Sequence, residues 1–286
     1  MSGFTEIATS RGMQKFYGVV AEKINVPAHS DFVSRPIKVL DICGGIGAVG
    51  KALHQQCESV MGKLSPEDFA VLVDYVNIDL DEEALKQSPG RTRWEDATYL
   101  YDRLRQEPPF DYILALNQNP NVQRFSSTQL NRMGFKDESL GNPIRNNLMA
   151  APHAQRHLAA RATLISAALL LQEGSLYLWS GFIGQESFSG TAKASKELGL
   201  GLRIVADERI ALDEATLESF VTYDTGKTKG KYFARVMEEY RKTFKLVTLQ
   251  ARGVVSTAAA QAALTKTLQD FRDWSTYCEV QDRFWN

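Results

Sequence analysis

Cysteine is scarce in this chain of 286 residues: Cys43, Cys57 and Cys278 are all it has. Their spacing fits neither a disulfide framework nor a metal-ligand set, which excludes a small cross-linked secreted fold and points to a reducing compartment. No His, Cys, Asp and Glu constellation with zinc-like spacing occurs elsewhere, so no metal is expected. An excess of one charge is also missing. Against 33 Lys and Arg stand 34 Asp and Glu, a formal net charge of -1, which gives no support for holding nucleic acid by bulk phosphate attraction. Long apolar runs are absent too. Leu164–Leu171 is the most apolar helical stretch and is too short to span a bilayer, and Met1–Met13 has no apolar core of signal-peptide length. The expectation is a cytoplasmic protein with no membrane association. Internal repeats and low-complexity tracts are lacking as well.

What remains is an ordinary globular composition, 44% hydrophobic and 23% charged, in a chain able to bury one large core. Met13, Phe16, Tyr17, Val20 and Ile24 recur at helical spacing, which predicts an amphipathic helix, with 27–36 as a linker. Apolar runs predict strands at Ile37–Ile42, 71–79, 110–116, 175–180, 202–206 and 244–249, with a weaker one at 92–96. Helices are expected over 48–57, 80–88, 99–106 and 157–172 (the last capped by Gly174), over 191–198, over 213–242 with a break at 224–230, and over 256–274. Strands alternating with helices predict an α/β fold with a mostly parallel sheet covered on both faces. The chain reads as a single domain: a helical cap over 1–35, a polar lid loop over 121–152 and a C-terminal helix over 250–286. A loop of that length inside a compact domain is uncommon and is usually functional when ordered.

The most informative stretch is Ile37-Lys38-Val39-Leu40-Asp41-Ile42-Cys43-Gly44-Gly45-Ile46-Gly47-Ala48-Val49-Gly50. It reads as a buried strand, a glycine-rich turn and the start of a helix, so backbone can approach a ligand and a helix N-terminus can face an anion. Gly45 to Gly50 matches the dinucleotide fingerprint G-x-G-x-x-G. Two details oppose that reading. The carboxylate of Asp41 would face a pyrophosphate at close range, and suits an ammonium better. The next strand-ending acid, Asp79, lies further along than the roughly twenty residues the fingerprint requires.

These residues resemble the class I S-adenosylmethionine-dependent methyltransferases, over about 37–180. The resemblance rests on Asp41 with the turn Cys43-Gly44-Gly45-Ile46-Gly47, then Asp79 ending the second strand, Asp96-Ala97 after the third and Asn117 after the fourth. It implies a Rossmann-like fold with a seven-stranded sheet and S-adenosyl-L-methionine as cofactor. Cys43, Gly45 and Gly47 would line the methionine end, and Asp41 would balance its amino group. Asp79 would take the ribose hydroxyls, Asp96 and Ala97 the adenine, and Asn117 would complete the site. Cys43 stands where the family usually has glycine, so the turn is expected to adopt a backbone conformation compatible with a side chain.

For the reaction, the loops after strands four and five bring Asn117 and Ser180 toward the transferred group, and His153 is the best-placed general base. Methyl transfer to a small polar or amino-acid-like molecule is the first reading. Gln123, Arg124, Asn142 and 145–147 of the lid, with Tyr17, Phe125 and Phe182, suggest such an acceptor. A second reading makes S-adenosylmethionine itself the substrate, its amino group attacking its own γ-carbon and releasing methylthioadenosine, as azetidine-2-carboxylate synthases do. A third is a non-catalytic binding domain, with the terminal helices as candidates for a homodimer interface.

Overall fold

The computed structural model describes residues 3–30, 35–95, 97, 104, 106–116, 161, 163–182, 195–196, 198–226, 228–260, 262–263 and 266. Among these residues seven strands form one sheet: β1 Ile37–Ile42, β2 Val73–Asp79, β3 Arg91–Trp94, β4 Phe110–Leu116, β5 Leu171–Phe182, β6 Leu202–Arg209 and β7 Phe244–Ala251. Their spatial order is β3-β2-β1-β4-β5-β7-β6. Pairs β1–β2, β1–β4, β2–β3 and β4–β5 are parallel, and β7 runs against both of its neighbours. This is the expected Rossmann-like α/β fold with a mostly parallel sheet.

Alternation along the strands sends side chains to two cores. On one face Val39, Tyr75, Leu114 and Leu246 meet α2 (Arg11–Ile24), α4 (Ala48–Met61), α8 (Glu214–Thr225) and α9 (Lys231–Thr243). On the other, Leu40, Val76, Ile113 and Leu249 pack with Leu164, Ile165, Ala167 and Ala168 of α7, residues 163–170. The N-terminal region is helical, with α1 (Gly3–Ala8) and α3 (Val26–Ser30) flanking α2. The helix α3 falls where a linker was expected. Asn25, left-handed at φ 47°, ends α2 and turns the chain directly into it.

Other boundaries also differ for local reasons. Val71 belongs to α5 (Pro66–Leu72), not to the second strand. Ser65 and Asp68 form a reciprocal capping box there, with Pro66 in the first turn, and hold the helix to Leu72. The short α6 is Glu82–Leu85, and β3 ends at Trp94. Gly174 does not cap a helix. It lies inside β5, where the pairing with β4 slips between Phe110↔Leu171 and Tyr112↔Leu176, and its φ of 86° serves that irregularity. Gln250 and Ala251 belong to β7, so the C-terminal helical residues begin at 257. Most of 99–106 and the 121–152 lid lie outside the described residues. No described helix is long and apolar enough to cross a membrane.

Candidate functional site

In this strand order the chain leaves β1 toward β2 on one side, while β4 lies on the other. The crevice beyond the C-terminal ends of β1 and β4 is therefore the topological switch point, where open α/β sheets bind ligands. The turn Cys43–Gly47 occupies that place. It is tied to β2: the N–H groups of Cys43 and Gly44 both donate to the Ile78 carbonyl, at 2.7 and 3.3 Å. Gly47 N–H donates to Gly44 O at 2.9 Å and closes the turn.

The turn's backbone follows from its glycines. Gly45 and Gly47 have φ of 52° and 66°, a region that disfavours side chains. A Cβ on Gly47 would stand 2.2 Å from Ser88 Oγ, and one on Gly44 would stand 2.5 Å from Asn77 Oδ1. Gly47 caps α4 without any side-chain acceptor, which leaves the first N–H groups of that helix to an incoming anionic group. Cys43 itself has φ 57°. The expected side-chain-compatible backbone is thus not what the turn adopts. It keeps the glycine conformation, and the thiol residue is accommodated within it, half-buried against the second core.

Two acids frame the turn. Asp79, the last residue of β2, accepts Gly45 N–H at Oδ2 and Asp81 N–H at Oδ1, both at 2.8 Å. A carboxylate has lone pairs for further donors beyond these two. Beside it, exposed Leu80 and Trp94 are joined by the indole N–H donating to Leu80 O at 2.9 Å. Asp41 is only 2% exposed, and its Oδ2 accepts the Tyr75 hydroxyl at 2.5 Å. Burial pushes its carboxyl up to about 7, the Tyr75 hydrogen bond opposing and the Asp79 charge adding.

Beneath the turn lies a polar layer that motif reading missed. Asn77, wholly buried, donates from Nδ2 to Gly45 O and to Ser88 Oγ, both at 2.9 Å. Its Oδ1 has no hydrogen-bond partner. The one available signal was an amide in a strand whose central residues otherwise read as core. Nothing local marks Ser88.

The structure therefore brings together Asp41, Cys43, Gly45, Gly47 and Asp79 from the expected set. Ala97 is buried in the second core. Asp96, Asn117 and His153 lie outside the described residues, as do Phe125 and the lid residues named with it. Ser180 is not in a loop: β5 runs on to Phe182, and Ser180 is buried within it, paired with Leu116 and Leu246. Tyr17 is buried in the first core against Phe16. No group of three metal-ligating side chains occurs among the described residues. Away from the turn, a cleft of about 430 Å³ opens at the N-termini of α2 and α8, between Arg11, Lys15 and Asp213.

No protein-family model matches the chain, and no curated protein matches it. Among solved structures, the chain is similar to magnesium protoporphyrin IX methyltransferase from Synechocystis PCC 6803 with bound S-adenosylmethionine (11% identity, TM-score 0.43, covering 84% of this chain and 80% of that one). It is also similar to N-methyltransferase NodS from Bradyrhizobium japonicum WM9 in complex with S-adenosyl-L-homocysteine (9%, 0.44, 86% and 90%). A third is the cyclase SpnF (10%, 0.44, 82% and 81%). Likenesses this distant carry no argument about activity, and the fold stands on the sheet order itself.

Proposed function

We propose that the chain is an S-adenosyl-L-methionine-dependent transferase that methylates a small polar or amino-acid-like molecule. The observation that carries this reading is the turn Cys43–Gly47 at the switch point, closed against Asp79 through Gly45 N–H. The residues present fit that cofactor. Gly44 and Gly47 have no space for a Cβ, α4 begins without a side-chain cap, and Asp79 retains acceptor capacity. A dinucleotide fits worse, because the buried Asp41 acid would face its pyrophosphate.

In this reading Asp79 accepts the ribose hydroxyls, and Leu80 with Trp94 offers apolar surface to the adenine, with Asp96 and Ala97 completing that side. The α4 N-terminus faces the methionine carboxylate, and Asp41 faces the ammonium. When bound, the cofactor supplies an electrophilic methyl carbon on its sulfonium. The chain's remaining task is to hold an acceptor in line with that carbon and exclude water. Asn117, which follows β4 in the chain, and Ser180, buried within β5 near its C-terminal end, are the candidates to orient the acceptor, and His153 is the candidate to take its proton. A single domain over 1–286, a closing 121–152 lid and pairing of two copies through the terminal helices belong to the same proposal.

Incubating the full chain with S-adenosylmethionine tests the chemistry. The cofactor is expected to persist alone and to lose its methyl group when amine and carboxylate acceptors are supplied. Release of methylthioadenosine with no acceptor present would replace methyl transfer by self-consumption of the cofactor.

A further inference from the structure

A carboxylate is costly to bury unless a cation or several donors meet it. Among the described residues Asp41 has one hydrogen-bond donor, the Tyr75 hydroxyl. The titratable groups among them that act on it are Tyr75 and Asp79, both from β2, with Tyr17 of α2 acting on Tyr75 in turn, and none of these is a cation. Asp41 pairs in register with Asn77 on the neighbouring parallel strand, so the two side chains leave the sheet on the same face, about 4.8 Å apart at the backbone. Asn77 Oδ1 is buried and unpartnered. Asp41 Oδ2 and Asn77 Oδ1 lie 2.6 and 2.5 Å from the point where a Gly44 Cβ would stand. Two acceptor oxygens thus face one small space. A hydrogen between them satisfies the amide oxygen and removes the buried charge together.

We propose that Asn77 is a positioning residue that keeps Asp41 a carboxylic acid while the cofactor site is empty, its O–H turned to Asn77 Oδ1 against the opposing hydrogen bond from the Tyr75 hydroxyl, and that arrival of the cofactor's ammonium drives this proton to solvent. Only the Asp41 O–H bond breaks. The proton passes to buffer, the electron pair stays on the carboxylate that faces the ammonium, and the Tyr75 hydroxyl continues to donate to it. Cofactor binding is thereby linked to proton release. The inference rests on reading the turn as an S-adenosylmethionine site and adds that linkage to it.

Calorimetric titration of the full chain with S-adenosylhomocysteine, repeated in buffers of different ionisation enthalpy, counts the proton. With Asp41 near 7 in the empty site, release should be roughly half a proton per ligand at pH 7 and nearly one at pH 6. Tyr75→Phe removes the hydrogen bond that favours the ionised form, so release at pH 7 should rise toward one, a shift that loss of packing alone does not produce. Asp41→Asn should bind without release. Binding by the wild-type chain with no proton released at pH 6 overturns the linkage and leaves the cofactor reading standing. Absence of any binding by folded protein overturns both.

Discussion

Cys43 shows how a single residue can break a motif and leave its geometry intact. A side chain at φ 57° costs about 1–2 kcal/mol relative to an unstrained backbone, yet the Cys43 and Gly44 N–H groups still reach Ile78 O. Cys43→Gly relieves that strain and gives the unfolded chain more freedom, two opposing effects. Urea unfolding should therefore show a change within about 1 kcal/mol for Cys43→Gly, and a loss of about 1–3 kcal/mol for Cys43→Val, whose β-branch suits that backbone least. Equal losses for both would mean that packing, not backbone, dominates at this position. The residues legible in the sequence were those whose role depends on order along the chain: Asp41, the glycines and Asp79. Tyr75 and Asn77 were not legible, because their role comes from register. Asn77 matters through standing opposite Asp41, and no spacing within either strand reveals that pairing.

At the scale of elements, the site end of the sheet is built from turns, while the opposite end is latched by charge. Arg91, opening the four-residue edge strand β3, holds both Asp74 and Glu107, and Arg93 and Lys38 also reach Glu107. The Arg91 hydrogen bond, with the charges of Arg91, Arg93 and Lys38, pulls the Glu107 carboxyl from 4.5 down to about 2 against the cost of its burial. A depressed folded-state value means the stabilisation is present above pH 4.5 and is lost as pH falls toward 2. Glu107→Gln should flatten the fall in unfolding free energy between pH 5 and pH 2, measured by urea titration; an unchanged acid slope would place that dependence elsewhere. Gly12 of α2 makes a similar point about close packing. Its N–H donates to Thr216 Oγ1 of α8 at 3.2 Å, and a Cβ there would stand 2.6 Å from that oxygen. Gly12→Ala should lower stability by about 1–3 kcal/mol, checked by chemical unfolding; a neutral outcome would mean that the two helices part freely. Helix and strand types were largely legible because both periods are strong. Boundaries were less so where capping outweighed hydrophobicity, as at Ser65–Asp68, or where a bulge used a glycine, as at Gly174.

For the whole molecule, the buried acid at the centre of the site makes stability and binding two readings of one group. The folded-state value of Asp41 is raised, chiefly by burial, from 3.8 to about 7. Its favourable contribution is therefore complete below pH 3.8 and lost as pH rises through 7. Asn supplies an uncharged side chain that can donate to Asn77 Oδ1 at every pH. Asp41→Asn should thus gain stability over the wild type between pH 5 and pH 8, by an amount on the order of a few kcal/mol, and should lose affinity for the cofactor. A parallel pH profile for the two proteins would show that Asp41 is already ionised in the empty site. The fold class was legible, and a cofactor class could be proposed, because a strand, a glycine turn and ordered acids constrain each other. The acceptor was not, because acceptor contacts come from loops whose composition fixes no geometry.

The most direct measurement is calorimetric titration of S-adenosylhomocysteine into the folded full chain and into Asp79→Ala. One ligand per chain is expected for the wild type. The variant should bind more weakly by a few kcal/mol, on the order of two charge-assisted hydrogen bonds. A folded wild-type chain that takes up no ligand, or an Asp79→Ala chain that binds equally well, would contradict the assignment of the Cys43–Gly47 turn as an S-adenosylmethionine site.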